Sequence, residues 1–143
     1  MIAMTLSAAS CGQPRDRVEA PAEAETVADT LPEDFLAFYK RFHEDSAYQM
    51  DHIIFPLEGM PDSMTGEDSL GTDRYFWQRD TWKLHRRFLN PDNQFESWFH
   101  VYETNMIEHW IQTRVGGMAM MRRFAKLQGE WYLIYYRGMR PKG

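Results

Sequence analysis

At 143 residues the chain has the length of one domain, and 43% hydrophobic residues with 15% aromatics supply a sizeable core. The net charge of −5 lies mostly in residues 12–30 and the remainder is near neutral, so the concentrated basic footprint of a nucleic-acid binder is missing. A single cysteine rules out an internal disulfide, and no run of about 18 apolar residues is present to cross a bilayer as a helix.

Residues 1–10, MIAMTLSAAS, are small and apolar, and Cys11-Gly12 follow. Ala8-Ala9-Ser10-Cys11-Gly12 resembles a bacterial lipobox, with Ala8 standing where a large aliphatic residue is usual. That resemblance implies that Cys11 is lipidated and becomes the new N-terminus after cleavage. Residues 12–30 are Pro, Ala, Glu and Arg with two valines. Such a segment buries too little apolar surface to offset ordering, so a disordered tether is expected. An ordinary disordered N-terminus would read the same way. The expected division is a signal remnant at 1–11, a tether at 12–30 and a single α+β domain at 31–143. The expected location is the cell envelope, at the periplasm or outer membrane. Membrane contact would run through the lipid, since several acyl chains anchor firmly where one does not.

In residues 31–44, Leu31, Phe35, Phe38, Tyr39 and Phe42 share an arc of about 100° at helical spacing, one buried face. Thr30 and Glu33 have the spacing of a capping box. His43, near the helix end, suits the dipole there. Ser46 and Gln49 repeat the capping-box spacing and open a short helix to about Asp51. Residues 52–57 read as an edge strand, because Pro56 has no donor for a ladder. Residues 59–73 read as a long loop. Tyr75-Phe76-Trp77 and residues 81–85 look strand-like, with a helical alternative over 80–89. Residues 90–93, NPDN, are a turn. A hairpin over 98–102 and 107–111, turning at Thr104-Asn105, leads to a break at Gly116-Gly117.

Residues 118–137 read as the closing hairpin. Branched and aromatic residues fit a pleated surface, and Gly129 supplies the positive φ of a two-residue turn at Gln128-Gly129. Leu127 then pairs with Glu130 and Phe124 with Leu133. One face carries Met118, Met120, Phe124, Trp131, Leu133 and Tyr135; the other carries Met121, Leu127, Tyr132, Ile134 and Tyr136. A one-residue slip exchanges them. Arg122 and Arg123 fall on opposite faces and read as solvated charge. The expected fold is α+β, N-terminal helices packed on a curved antiparallel sheet.

The phenylalanine-spaced helix, the DSAYQMDHIIFPLEG segment and the GEWYLIYY strand together resemble a group of small bacterial lipoproteins of uncharacterised role. The likeness covers residues 31–137. It implies a cone-like fold of the nuclear transport factor 2-like (cystatin-like) kind, which hosts enzymes, binding modules and dimerisation domains alike.

For chemistry, a two-residue turn at Thr104-Asn105 sets His100 opposite His109 at about 5 Å, close enough to share a metal; two half-buried histidines are the plainer reading. Cone-fold isomerases and hydratases place an acid or base in the cavity, and Asp80 beside Trp77 and Trp82 is the candidate. A turn aspartate is the plainer reading there too. Phe38, Tyr39, Phe42, Trp82 and Trp131 are the expected pocket walls, and no cofactor is expected. The expectation is a lipid-anchored, non-catalytic binding domain for a small apolar ligand or a protein, adaptable through its methionines. A small enzyme using a buried carboxylate is the alternative. The outer sheet face is an expected homodimer interface.

Overall fold

The computed structural model describes residues 31–62, 74–103 and 105–142. Cys11, the expected tether at 12–30 and most of the expected loop at 59–73 lie outside them, while Gly59 and Met60 belong to a strand.

Helix α1, Glu33–Glu44, starts two residues later than expected, with Pro32 in the cap position and no side-chain cap. Proline suits that place because its fixed φ matches and it has no N–H to satisfy. Glu33 and Asp34 in the first turn complement the helix dipole. Phe35, Phe38, Phe42 and His43 are its buried residues. Helix α2, Ser46–Asp51, is capped by Asp45, whose carboxylate accepts from the Tyr48 amide at 3.0 Å. Ser46 is therefore not the cap. Gln49, freed from a capping box, turns inward and is 1% exposed.

The strands are β1 (Ile53–Met60), β2 (Tyr75–Trp77), β3 (Phe95–Tyr102), β4 (Met106–Thr113), β5 (Met118–Leu127) and β6 (Glu130–Pro141). They form one sheet in the order β2-β1-β6-β5-β4-β3. The sheet is mixed, because β1 runs parallel to β6 while the other pairs are antiparallel. Strand β1 is thus interior, not an edge. Pro56 is tolerated because it lies in the interval between Ile53 and Glu58 where the register shifts. Residues 79–81 form a 3₁₀ turn, and residues 82–90 are irregular, neither the expected strand nor a helix. The amide and carbonyl of His85 both pair with the Gln49 side chain instead of a ladder.

Strands β5 and β6 meet at Gln128 (φ 51°) and Gly129 (φ 87°), the two positive values a tight turn of this hand needs. Leu127 opposes Glu130 and Phe124 opposes Leu133, as expected. The register then slips between Phe124 and Arg123, and Arg122 opposes Tyr136. A bulge of this kind adds twist and bend. It also puts Tyr136, not Tyr135, on the side that packs against the core.

Helix α1 lies across the inner face of the sheet. Phe35 meets Trp131 at 5.1 Å and Phe124 at 5.4 Å between ring centroids, and Phe38 meets Phe124 at 5.6 Å. Ile53, Leu57, Ile107 and Leu133 complete the core. Each such side chain stabilises by about 1.5–3 kcal/mol when fully buried. Two helices on a curved sheet make the α+β class plain.

Candidate functional site

On strand β5, Arg122 shares a face with Phe124, and that face lies under α1. The expected solvated charge is therefore a core residue, 2% exposed. Its guanidinium is fixed by neutral groups. Nη1 donates to His43 Nε2 at 2.8 Å and to His85 Nδ1 at 3.3 Å. Nη2 donates to His109 Nδ1 at 2.9 Å and to the Tyr39 hydroxyl at 3.1 Å. Nε has no partner among the described residues.

A guanidinium only donates, so each imidazole nitrogen facing it must be the accepting one. The tautomers follow. His43 carries its proton on Nδ1 and donates to the Tyr39 carbonyl at 2.7 Å. His109 carries its proton on Nε2 and donates to Ser97 Oγ at 2.7 Å. Burial, and then the Arg122 charge, hold these rings neutral. His43 is lowered to about 4, and the hydrogen bond to the Tyr39 carbonyl only partly opposes this. His85 and His109 lie well below the usual histidine value for the same causes, in the same order. His43 is therefore not the dipole-complementing cation the sequence suggested; its charged form is the disfavoured one. Burial also raises the Tyr136 phenol.

Hollows adjoin this cluster. One, about 340 Å³, lies between the irregular strap of residues 82–90 and the sheet. Arg122, His85 and Tyr136 line it together with Leu84, Phe88, Leu89, Ile111 and Met120. A second, about 270 Å³, is bordered by Tyr39, His43 and Arg87. A third, about 140 Å³, is bordered by Phe42, His43, Gln49, His85 and Arg86. The strap is held by Gln49, whose Nε2 donates to the Phe42 and His85 carbonyls at 2.8 Å each. Its Oε1 accepts from the His85 amide at 2.8 Å and from Trp82 Nε1 at 3.1 Å. All four hydrogen-bonding positions of that buried amide are filled.

The anticipated site residues divide. Tyr39 and Phe42 border hollows, whereas Phe38 and Trp131 are enclosed in the core at 4% and 3% exposure. Trp82 braces the strap, 4.6 Å from the His85 ring. Asp80 is exposed in the 3₁₀ turn and is no buried base. The His100–His109 pair does not form. Three residues separate Tyr102 from Met106, so Phe99 opposes His109 and His100 opposes Glu108. That single-residue difference sends the two histidines to opposite faces. His109 is buried and His100 exposed. Its buried ring lone pair meets Arg122, leaving none there for a metal, and no group of three metal-ligating side chains exists among the described residues. Sequence reasoning missed Arg122, His43, His85, Ser97 and Gln49. One signal was available: Arg122 sits two residues from Phe124, so strand alternation sends both to the same side.

On the outer face, Glu108 is buried but ion-paired with Arg123 at 2.8 Å and also accepts from Tyr102 and Trp110. Its carboxyl lies below the usual range because these hydrogen bonds and the Arg123 charge together outweigh burial, the largest single influence.

No family model and no curated protein matches the chain. Several solved structures are similar to it. One is an NTF2-like protein from Bacteroides fragilis NCTC 9343, with a TM-score of 0.49 at 16% identity, covering 73% of this chain and 46% of that one. The chain thus spans under half the length of that protein. Another is a protein from Bacteroides uniformis ATCC 8492, with a TM-score of 0.49 at 20% identity, covering 73% of this chain and 75% of that one. A third, from Pectobacterium atrosepticum SCRI1043, is a DUF3225-family protein of unknown function, with a TM-score of 0.43 at 12% identity, covering 82% of this chain and 92% of that one.

Proposed function

We propose that this chain is a non-catalytic binding domain of the cell envelope, a cone of the nuclear transport factor 2-like kind. Lipid on Cys11 ties it to a membrane, and a small apolar molecule enters the cleft between strap and sheet. One observation carries the binding reading. Arg122 and His85 line the cleft, and the accepting nitrogens of His85 and of His43 and His109 behind it all face Arg122. A general base needs a free lone pair within reach of its substrate, and these have none. The acid–base alternative needs a buried, unpaired carboxylate. Among the described residues Asp80 is exposed, and Glu108 is held by Arg123 on the other face. Apolar walls around a few fixed polar groups are the usual make-up of a ligand site. The outer sheet face, where Trp98 and Trp110 stack at 6.1 Å, is proposed as the surface of a homodimer.

Expression in a bacterial host tests both parts. The full chain is expected in the membrane fraction and Cys11→Ser in the soluble envelope fraction; a soluble wild-type chain sinks the anchor. A thermal-shift panel of small apolar and amphiphilic compounds should contain stabilisers. Saturation at a hundredfold over Kd adds about 2.7 kcal/mol, and Met120→Trp, which fills the cleft, should abolish the shift. A panel without any stabiliser removes the binding reading.

A further inference from the structure

We propose that the cleft is built for an organic monocarboxylate, an amphiphile whose carboxylate meets Arg122 and whose apolar body lies along the strap. The inference deepens the binding reading above and rests on it.

The argument starts from charge. Arg122 is 2% exposed, and its four terminal contacts are all to neutral atoms. A buried cation without a counter-ion is costly, because nothing nearby repays its loss of hydration. The usual partner, a carboxylate, is missing from its contacts among the described residues. Histidines replace it, and they are held in the form that adds no negative charge. Nε, the one donor left over, belongs to a side chain that lines the 340 Å³ cleft. A carboxylate that enters the cleft and takes the place of His85 on Nη1 supplies both an acceptor and the missing charge.

The rest of the cleft fits the rest of such a molecule. Leu84, Phe88, Leu89, Ile111 and Met120 present apolar surface, and Leu89 is 70% exposed on the strap. Arg86 and Arg87 are exposed on the same strap and add positive potential at the mouth. A volume of about 340 Å³ lies at the small end of ligand sites, which run about 300–1,000 Å³. His85 Nδ1, at 3.3 Å the longest of the imidazole contacts, is the one most easily displaced. It belongs to the irregular strap, not to a helix or strand.

Calorimetry on the full chain at pH 7.5 tests this with decanoate and decan-1-ol as probes, equal in chain length and different in charge. Decanoate is expected to bind roughly ten- to hundredfold more tightly, the worth of a hydrogen bond to a charged group. Arg122→Met should remove that preference while decan-1-ol binding persists. Arg87→Glu, at an exposed site on the strap that reverses the charge at the mouth and leaves the apolar wall in place, should weaken decanoate several-fold and decan-1-ol little. This second variant decides the matter even where Arg122→Met fails to fold. Equal affinity for the two probes, or decanoate binding indifferent to Arg87→Glu, overturns the carboxylate inference and leaves an apolar binding site standing. Binding of neither probe overturns the carboxylate inference too, and the compound panel above then decides the broader reading independently.

Discussion

At the scale of the residue, a single arginine sets the chemistry of the inner sheet face. Its charge and its burial together keep His43, His85 and His109 neutral. Stability then depends on pH with a definite sign. In the unfolded chain His43 titrates near 6.5; in the folded chain it titrates at about 4. Between those values the unfolded state binds more protons, so stability is full above the window and falls as pH drops through it. At about 1.4 kcal/mol per pKa unit, His43 alone removes about 2 kcal/mol between pH 6.5 and pH 5. His85 and His109 act in the same direction. Asp34 and Glu108, whose carboxyls are lowered, add their losses only further down the scale. Urea unfolding at pH 7.5 and pH 5 should therefore show a marked drop in midpoint, reduced in His43→Asn. Equal midpoints at the two pH values would show that the imidazoles titrate freely and that the network is wrong. Gly59 is another residue whose identity is forced: a Cβ there would run into the Tyr136 carbonyl, which also accepts from Trp77 Nε1 at 2.9 Å.

At the scale of the element, the strap of residues 82–90 is the least regular part of the described chain, and Gln49 is what positions it. Gln49→Ala leaves the Phe42 and His85 carbonyls, the His85 amide and the Trp82 indole without their partner. Each buried group left unsatisfied costs about 1–3 kcal/mol, and water reaching the strap offsets part of this. The variant should lose about 3 kcal/mol, and the His85 amide should exchange with solvent far faster than amides of β5. Unchanged protection of that amide would mean that something other than Gln49 holds the strap. The same residue shows the reach of local reading. Ser46 and Gln49 stand at capping-box spacing, and the helix they announce is present. The cap is nevertheless Asp45, because the buried end of Gln49 finds four better partners, three of them in the strap far along the sequence. The hairpin of β3 and β4 shows the same limit. Its two strands were legible from their aromatic runs, but its register was not. One extra loop residue separated His100 from His109 and dissolved the expected pair.

For the whole molecule, the outer sheet face raises the question of assembly. Trp98 and Trp110 stack there nearly parallel, at 5° between planes, beside the Glu108–Arg123 pair. Sedimentation at high protein concentration should show a dimer, and Trp98→Asp should return it to a monomer with core fluorescence intact. A wild-type monomer under those conditions removes the interface. The inner face needs no partner, since α1 already covers it.

The amphipathic α1, the short helix after it, the turn at Gln128-Gly129 and the pairing of Phe124 with Leu133 were legible because each depends on neighbours a few residues apart. Periodicity, turn chemistry and strand propensity all act over that range. The site was decided at longer range. Arg122 became a buried cation because a helix eighty residues earlier roofs its side of the sheet. Tyr136 replaced Tyr135 beside it because the register slips once past Phe124. Composition carries no record of either event: an arginine reads as solvated until some other segment takes the water away.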